Sequence, residues 1–319
     1  MQLTPSWIHI YTSLSCLFTH CFDTSGNRAS SNHLVLNQSS AASMGRTPVY
    51  FFSHGGPTIM ESTGHPAHQK LHELGLEITQ KIRPKAIVVF SAHWQGEPNL
   101  IEVNTATTRD LIYDFYGFPP HFYEYKFPNT GSPELAERIM ELFGEAGIKS
   151  EGVRRGLDHG VWASFMCAFN PKTNPLNVPI VQVSLFDSDD PDKHFRLGEA
   201  IQKLREEGVL IIVSGMAVHN LGEMRAGFRS DQPSAPMPYT LTFSAALKEA
   251  VEKGTDERQQ AMAELLKRPD ARKAHPSKEH LLPVHIGAGA AGTDLGKQIY
   301  ALPDGSLGWD MYRFGEVGA

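Results

Sequence analysis

Histidine is the residue whose placement in this chain points most directly to chemistry, because imidazole binds transition metals and exchanges protons near neutral pH. Three short apolar segments are each followed by a histidine: His54 follows 49–53, His93 follows 86–92, and His219 follows 209–215. The carboxyl ends of parallel strands lie at one edge of a sheet, where open α/β proteins keep their sites. The spacing therefore predicts that these three side chains converge on a metal ion.

Such a site could support two kinds of chemistry. Imidazole ligands suit Fe(II), Zn(II) or Cu(II) far better than Mg²⁺ or Ca²⁺. Three histidines on one side of zinc leave a position for an activated water and hydrolysis. Three histidines on one side of iron leave room for a bidentate substrate together with O₂. A further histidine beside the ion would serve as a proton shuttle.

Two sequence contexts favour an active-site role for particular histidines. His54 is followed by Gly55, Gly56 and Pro57, which stop the strand and let the backbone turn sharply beside a ligand. His159 lies between glycines in a loop before an apolar segment, so it is either a turn residue that caps a helix or a fourth active-site histidine. Both alternatives are open on the sequence alone.

Other charged candidates have a simpler interpretation. His68 and His72 are four residues apart, as in a metal-binding helix, but no HExxH motif accompanies them, so solvated helix histidines are favoured. Arg154 and Arg155 could hold a substrate carboxylate, and two surface arginines explain them equally well. We assign no role to His20 or His33.

The elements that must position these residues alternate between strand and helix. Strands are predicted at 49–53, 86–91, 178–185 and 209–214, helices at 61–82, 133–146, 194–207, 243–253 and 256–266, and a last strand or hairpin within 294–314. This order predicts an α/β fold: a single domain with a largely parallel or mixed central sheet flanked by helices, and an active site at the carboxyl ends of the strands. The aromatic segment 105–128 is expected to be a lid or a small satellite core.

Composition narrows the class of protein. The chain has 319 residues, 41% of them apolar, and a net charge of −6 without a basic stripe, so nucleic acid is not an expected partner. The sequence contains no run of about twenty apolar residues, so no membrane-spanning segment is predicted. The three cysteines form no CxxC motif, which suits a reducing compartment, and we expect a cytoplasmic protein. Residues 1–45 are expected to be a disordered or processed extension, and the oligomeric state is left open.

Several motifs, taken in order, resemble those of one enzyme family. They are Phe52-Ser-His-Gly-Gly-Pro, Ser91-Ala-His-Trp, Tyr113-Asp-Phe-Tyr-Gly-Phe-Pro, Gly156-Leu-Asp-His-Gly, Ser214-Gly-Met-Ala-Val-His-Asn-Leu and His275-Pro-Ser-Lys-Glu-His-Leu-Leu-Pro. The chain thereby resembles the class III extradiol ring-cleavage dioxygenases, and within them the 4,5-DOPA dioxygenase branch, over residues 47–314. The resemblance implies that residues 46–319 form an extradiol dioxygenase catalytic domain.

The resemblance also implies roles for individual histidines. The metal ligands would be His54, His93 and His280, with His280 preferred to its neighbour His275. The catalytic residues would be His219 as acid and base and His159 as a residue that positions substrate. One divalent metal is implied, Fe(II) for catalysis and Zn(II) as an inert occupant, with a catechol and O₂ as small-molecule partners. Segment 163–169 departs from the family pattern. The alternatives to a dioxygenase are a zinc hydrolase that uses the same histidines and a non-enzymatic binding module on the same fold.

Overall fold

The computed structural model describes residues 45–108, 110–224 and 233–318. Residues 1–44 lie outside this part of the chain, so the N-terminal extension, with His20 and His33, stays a prediction. The described residues from 45 onward belong to one compact unit that extends over Ser43–Ala319.

The centre of the fold is an eight-stranded mixed sheet with the order β4-β3-β5-β2-β6-β1-β11-β8. Its strands are β1 (Val49–Ser53), β2 (Ala86–Gln95), β3 (Ile101–Asn104), β4 (Ser150–Val153), β5 (Ile180–Leu185), β6 (Val209–Gly215), β8 (Gly296–Tyr300) and β11 (Met311–Phe314). Three short strands, β7 (Val218–His219), β9 (Pro303–Asp304) and β10 (Leu307–Gly308), form a second sheet. Strands β5, β2, β6 and β1 are parallel. At one edge β11 pairs antiparallel with β1, and β8 pairs antiparallel with β11. The predicted α/β fold with a mixed central sheet is confirmed.

Helices cover both faces of this sheet. They are α1 (Pro66–Glu77), α2 (Pro133–Glu145), α3 (His159–Ala168), α4 (Pro191–Ile201), α5 (Pro238–Val251), α6 (Thr255–Glu264), α7 (Ala271–Ala274) and α8 (Leu282–Ala290). The side chains of β1 alternate between the faces: Val49 and Phe51 pack with residues of α4 and α8, and Tyr50 and Phe52 pack with residues of α1 and α3. Two apolar cores therefore hold the parallel strands rigidly from either side.

Local sequence explains where most helices begin. Helices α1, α2, α4 and α5 start with proline, whose fixed φ suits the first helical position and whose missing N–H would have no partner there. Ser132 caps α2, because its Oγ accepts a hydrogen bond from the N–H of Leu135 at 3.1 Å. The helix predicted at 61–82 is shorter than expected: α1 begins only at Pro66, and residues Ile78–Ile82 form a turn of π-helix.

The aromatic segment 105–128 contains one short 3₁₀ turn, at Pro120–Tyr123. Phe115, Phe122 and Phe127 are buried in the same core as Trp162 and Phe52, so the segment extends a main core and forms no separate satellite core. Phe115 also faces the His159 ring edge to face, with centroids 5.6 Å apart, so the segment borders the site as a lid would. Within the described ranges, no helix is both long enough and apolar enough to cross a bilayer.

Candidate active site

The candidate site lies at the carboxyl ends of three adjacent parallel strands, β2, β6 and β1. His54 follows β1 directly, and its backbone N–H donates to the carbonyl of Gly215 at the end of β6, at 3.0 Å. His93 lies inside β2 rather than after it, because β2 continues to Gln95, which pairs with Leu185 of β5. The predicted end of this strand at residue 91 is therefore wrong, although its histidine still reaches the expected edge.

His280 joins these two histidines from a distant part of the sequence. Its ring centroid lies 4.9 Å from that of His93 and 5.3 Å from that of His54, and the His54 and His93 centroids are 5.0 Å apart. One ring nitrogen from each of the three lies within 4.8 Å of the others. The carbonyl of His280 accepts from the N–H of Met216 at 2.9 Å, which ties the turn before α8 to the end of β6.

The three imidazoles have similar neighbours, which are hydrogen-bond acceptors for His54 and His280 and a charged oxygen for His93. Each Nδ1 faces an oxygen acceptor: the Gly55 carbonyl for His54 at 2.6 Å, the Asp114 carboxylate for His93 at 3.2 Å, and the Glu279 carboxylate for His280 at 2.8 Å. Such acceptors favour the proton on Nδ1 and leave the lone pair of Nε2 for a ligand bond. Among the described residues, the buried Nε2 atoms of His54 and His93 have no hydrogen-bond partner. A divalent metal bound by nitrogen would satisfy them.

Burial keeps two of these imidazoles, His54 and His280, neutral. Loss of solvation lowers the pKa of both well below the usual value, and repulsion from neighbouring imidazolium charge lowers both further. A neutral imidazole is the form that binds a metal. These two side chains could therefore bind a metal at neutral pH without first losing a proton.

Sequence comparison identifies the family of this chain. The family described as "Catalytic LigB subunit of aromatic ring-opening dioxygenase" matches residues 48–306. The chain belongs to the LigB family. It is an extradiol aromatic ring-opening dioxygenase, as the resemblance implied.

Individual relatives of this LigB-family enzyme support the assignment. The chain is 35% identical over 270 residues to "4,5-DOPA dioxygenase extradiol" of Beta vulgaris, covering 83% of this chain and 96% of the relative. It is 34% identical over 289 residues to "Dioxygenase tasH" of Hapsidospora irregularis, covering 85% and 86%. The crystal structure of the uncharacterized protein JW3007 from Escherichia coli K12 matches with a TM-score of 0.66 and 27% identity, covering 85% of this chain and all 100% of that one.

The structure places both predicted catalytic histidines beside the LigB-family site. His219 lies in β7, which pairs with β10 in the small sheet, and its ring stacks on that of His280. Burial lowers the pKa of His219 to about 3, and repulsion from His275, His93 and His159 contributes. His159 is the first residue of α3, and its ring centroid lies 4.0 Å from that of His93. Burial also lowers the pKa of His159.

Other histidines that the sequence raised lie outside the trio. His275 bonds the Ala217 carbonyl through Nε2 at 2.9 Å, and His285 bonds the Met262 carbonyl through Nε2 at 3.1 Å. His68 bonds the Ile59 carbonyl through Nδ1 at 2.7 Å, and His72 lies half-buried on α1. The structure thus brings His280, and not His275, to His54 and His93.

Sequence reasoning missed a buried carboxylate beneath the site. Asp158 is fully buried and accepts hydrogen bonds from Ser91 Oγ at 2.7 Å, Gln182 Nε2 at 2.5 Å and Arg155 Nη1 at 3.0 Å. The Arg155 guanidinium also lies 4.5 Å from the ring centre of Trp94. Arg155 is therefore held within the protein, whereas Arg154 is exposed. The available signal was a lone carboxylate between Leu157 and His159.

Proposed function

We propose that this LigB-family enzyme opens the ring of a small catechol, DOPA or a related compound, next to its hydroxyl pair, and that both atoms of O₂ enter a ring-opened semialdehyde. The observation that carries the proposal is the convergence of His54, His93 and His280, each with Nδ1 facing an acceptor. The names of the relatives from Beta vulgaris and Escherichia coli, "4,5-DOPA dioxygenase extradiol", support a DOPA-like catechol.

The metal would be held by Nε2 of His54, His93 and His280. Fe(II) is the expected catalytic ion, since it would supply redox chemistry with O₂ and coordinate both catechol oxygens, while Zn(II) would bind the same nitrogens without redox activity. The unpartnered Nε2 atoms of His54 and His93 support this ligand set.

Two further histidines would handle protons and position the substrate. His219 would be neutral at pH 7, because burial lowers its pKa to about 3. Its free nitrogen would then accept a hydrogen bond from a catechol hydroxyl, and proton transfer to it would require that the metal make that hydroxyl more acidic. His159, whose Nδ1 lies 2.9 Å from Asp114 Oδ1, would orient the substrate from the side of His93. Phe115 and its aromatic neighbours would face the catechol ring and exclude water.

The compartment, the partners and the domain bounds complete the proposal. We propose a cytoplasmic enzyme, since Cys167 is a buried free thiol and the chain contains no CxxC motif. Nucleic acid is not proposed as a partner, because the net charge is −6. Residues 46–319 would form the catalytic domain.

The test is turnover by enzyme that has been stripped of metal and reloaded anaerobically with Fe(II). With DOPA, caffeic acid and protocatechuate offered in turn, we expect oxygen uptake and a yellow ring-opened product from at least one. Zn(II)-loaded enzyme is the matched control and should consume no oxygen. Absence of oxygen uptake with all three catechols would contradict the proposal, and metal-dependent hydrolysis under anaerobic conditions would favour a hydrolase instead.

A further inference from the structure

Asp114 lies in the aromatic segment, and each of its two carboxylate oxygens faces a different histidine. Oδ2 is 3.2 Å from Nδ1 of His93, and Oδ1 is 2.9 Å from Nδ1 of His159. The Nδ1 of His159 lacks the alignment of a hydrogen bond, so this contact is an electrostatic one. Oδ1 does accept a hydrogen bond from the backbone N–H of His159 at 2.9 Å. The side chain of Asp114 is 23% exposed, so protein encloses most of it.

An ionised carboxylate is suited to this position because it only accepts hydrogen bonds. Aspartate is ionised at neutral pH. The negative charge of each oxygen therefore favours a proton on the Nδ1 that lies beside it. For His93 this choice directs the Nε2 lone pair toward His54 and His280.

The imidazoles of His93 and His159 are also too close for one ring to move without the other. Their ring centroids are 4.0 Å apart, and Phe115, the neighbour of Asp114 in the chain, packs edge to face against His159. A change at Asp114 would thus act on a proposed ligand, on a proposed catalytic residue and on the aromatic segment at once.

We propose that Asp114 is a positioning residue that fixes the tautomer of His93 and of His159 together. In this role it links the metal affinity of the site to the aromatic segment that borders the substrate. The proposal rests on the proposed function in one respect, since it takes His93 as a metal ligand.

The substitution Asp114→Asn separates this role from simple packing. Asparagine has nearly the same shape, but one of its two side-chain polar groups is an amide donor, so one histidine must face a donor. We expect Zn(II) affinity to fall about 10- to 100-fold, as for other groups that orient metal ligands. Asp110→Asn, an exposed aspartate in the same segment, is the matched control and should bind Zn(II) as the wild type does.

A second measurement reads the tautomers in the wild type itself. Histidine ring ¹⁵N shifts of the metal-free wild type, assigned with His93→Ala and His159→Ala, should report Nδ1–H tautomers for both residues. An Nε2–H tautomer at His93 in the wild type, or unchanged Zn(II) affinity in folded Asp114→Asn, would overturn the proposal. Neither readout uses catechol turnover, so an enzyme that failed to open catechols would contradict the proposed function and leave this test intact.

Discussion

The imidazole rings of His219 and His280 are stacked, with centroids 3.5 Å apart and planes inclined by 15°. His280 is a proposed metal ligand whose Nδ1 faces Glu279 at 2.8 Å, so the stacked partner is placed directly beside the metal position. His219 is not a member of the group His54, His93 and His280, and in the proposed mechanism it would act beside them as an acid or base. The division of roles can be tested by removing each ring in turn.

Substitution His219→Ala should leave the metal in place and slow turnover by a factor of about 10² or more, because a positioned acid or base contributes 10²- to 10⁴-fold. Fe(II) content and the rate of oxygen uptake, measured on the same sample, check both halves. Turnover at the wild-type rate would remove the assigned role, and loss of iron would make His219 a ligand.

Substitution His93→Ala should abolish tight metal binding, because it deletes one of the three converging nitrogens. Metal content after anaerobic loading and desalting is the measurement. His68→Ala is the matched control, since His68, on α1, is also partly buried but bonds the Ile59 carbonyl. Full iron occupancy in His93→Ala would show that the ligand set is different.

Substitution Gly160→Ala should disturb the site by steric overlap. A Cβ at residue 160 would lie 2.4 Å from Ser91 Oγ and 2.7 Å from Cδ2 of His93, so the ligand ring must move. We expect a loss of about 1–3 kcal/mol in the free energy of unfolding and a weaker metal affinity. Gly144→Ala is the control, because a Cβ there meets no atom within 4 Å and alanine favours helix α2. Equal metal affinity in both variants would contradict the expected contact.

The buried His285 should make the metal-free protein sensitive to acid. Burial lowers its pKa from 6.5 to about 4, although hydrogen bonds to the Met262 and Leu281 carbonyls oppose the shift. Between these values the unfolded chain binds a proton that the folded chain excludes, so stability is fully present above pH 6.5 and is lost as the pH falls to 4. The contribution over this interval is about 3 kcal/mol.

Urea unfolding between pH 7.5 and pH 4.5 measures this effect. Substitution His285→Gln removes the titrating group, so the free energy of unfolding of that variant should fall less steeply with pH than that of the wild type. A variant that is weaker by the same amount at every pH would show that His285 contributes packing but no proton linkage.

The sequence was most informative where local patterns decide the outcome. Short apolar segments predicted β1, β2, β5 and β6, and the meeting of parallel strand ends then brought His54 and His93 to one edge. The position of His280 came only from the family resemblance, because it precedes helix α8 and follows no strand of the large sheet.

The acceptors around the histidines could not be predicted in the same way. Asp114 lies in an irregular aromatic segment and meets His159, 45 residues away, only through tertiary packing. Asp158 binds Ser91 and Gln182, from two different strands, so no spacing along the chain reveals the network. Periodicity reports which face of an element is buried, but not which distant group a polar side chain meets.

The end of β6 between His54 and His93 carries a glycine, Gly215, and a Cβ there would lie 2.2 Å from the carbonyl oxygen of His280. The third nitrogen donor can therefore enter only where the middle strand has no side chain, and it comes from the last part of the chain. During synthesis, a nascent polypeptide that ends before residue 280 offers only two of the three donors. If these three residues hold the metal as proposed, tight metal retention should accordingly begin only after nearly the whole protein has left the ribosome, and metal uptake would then report completed folding.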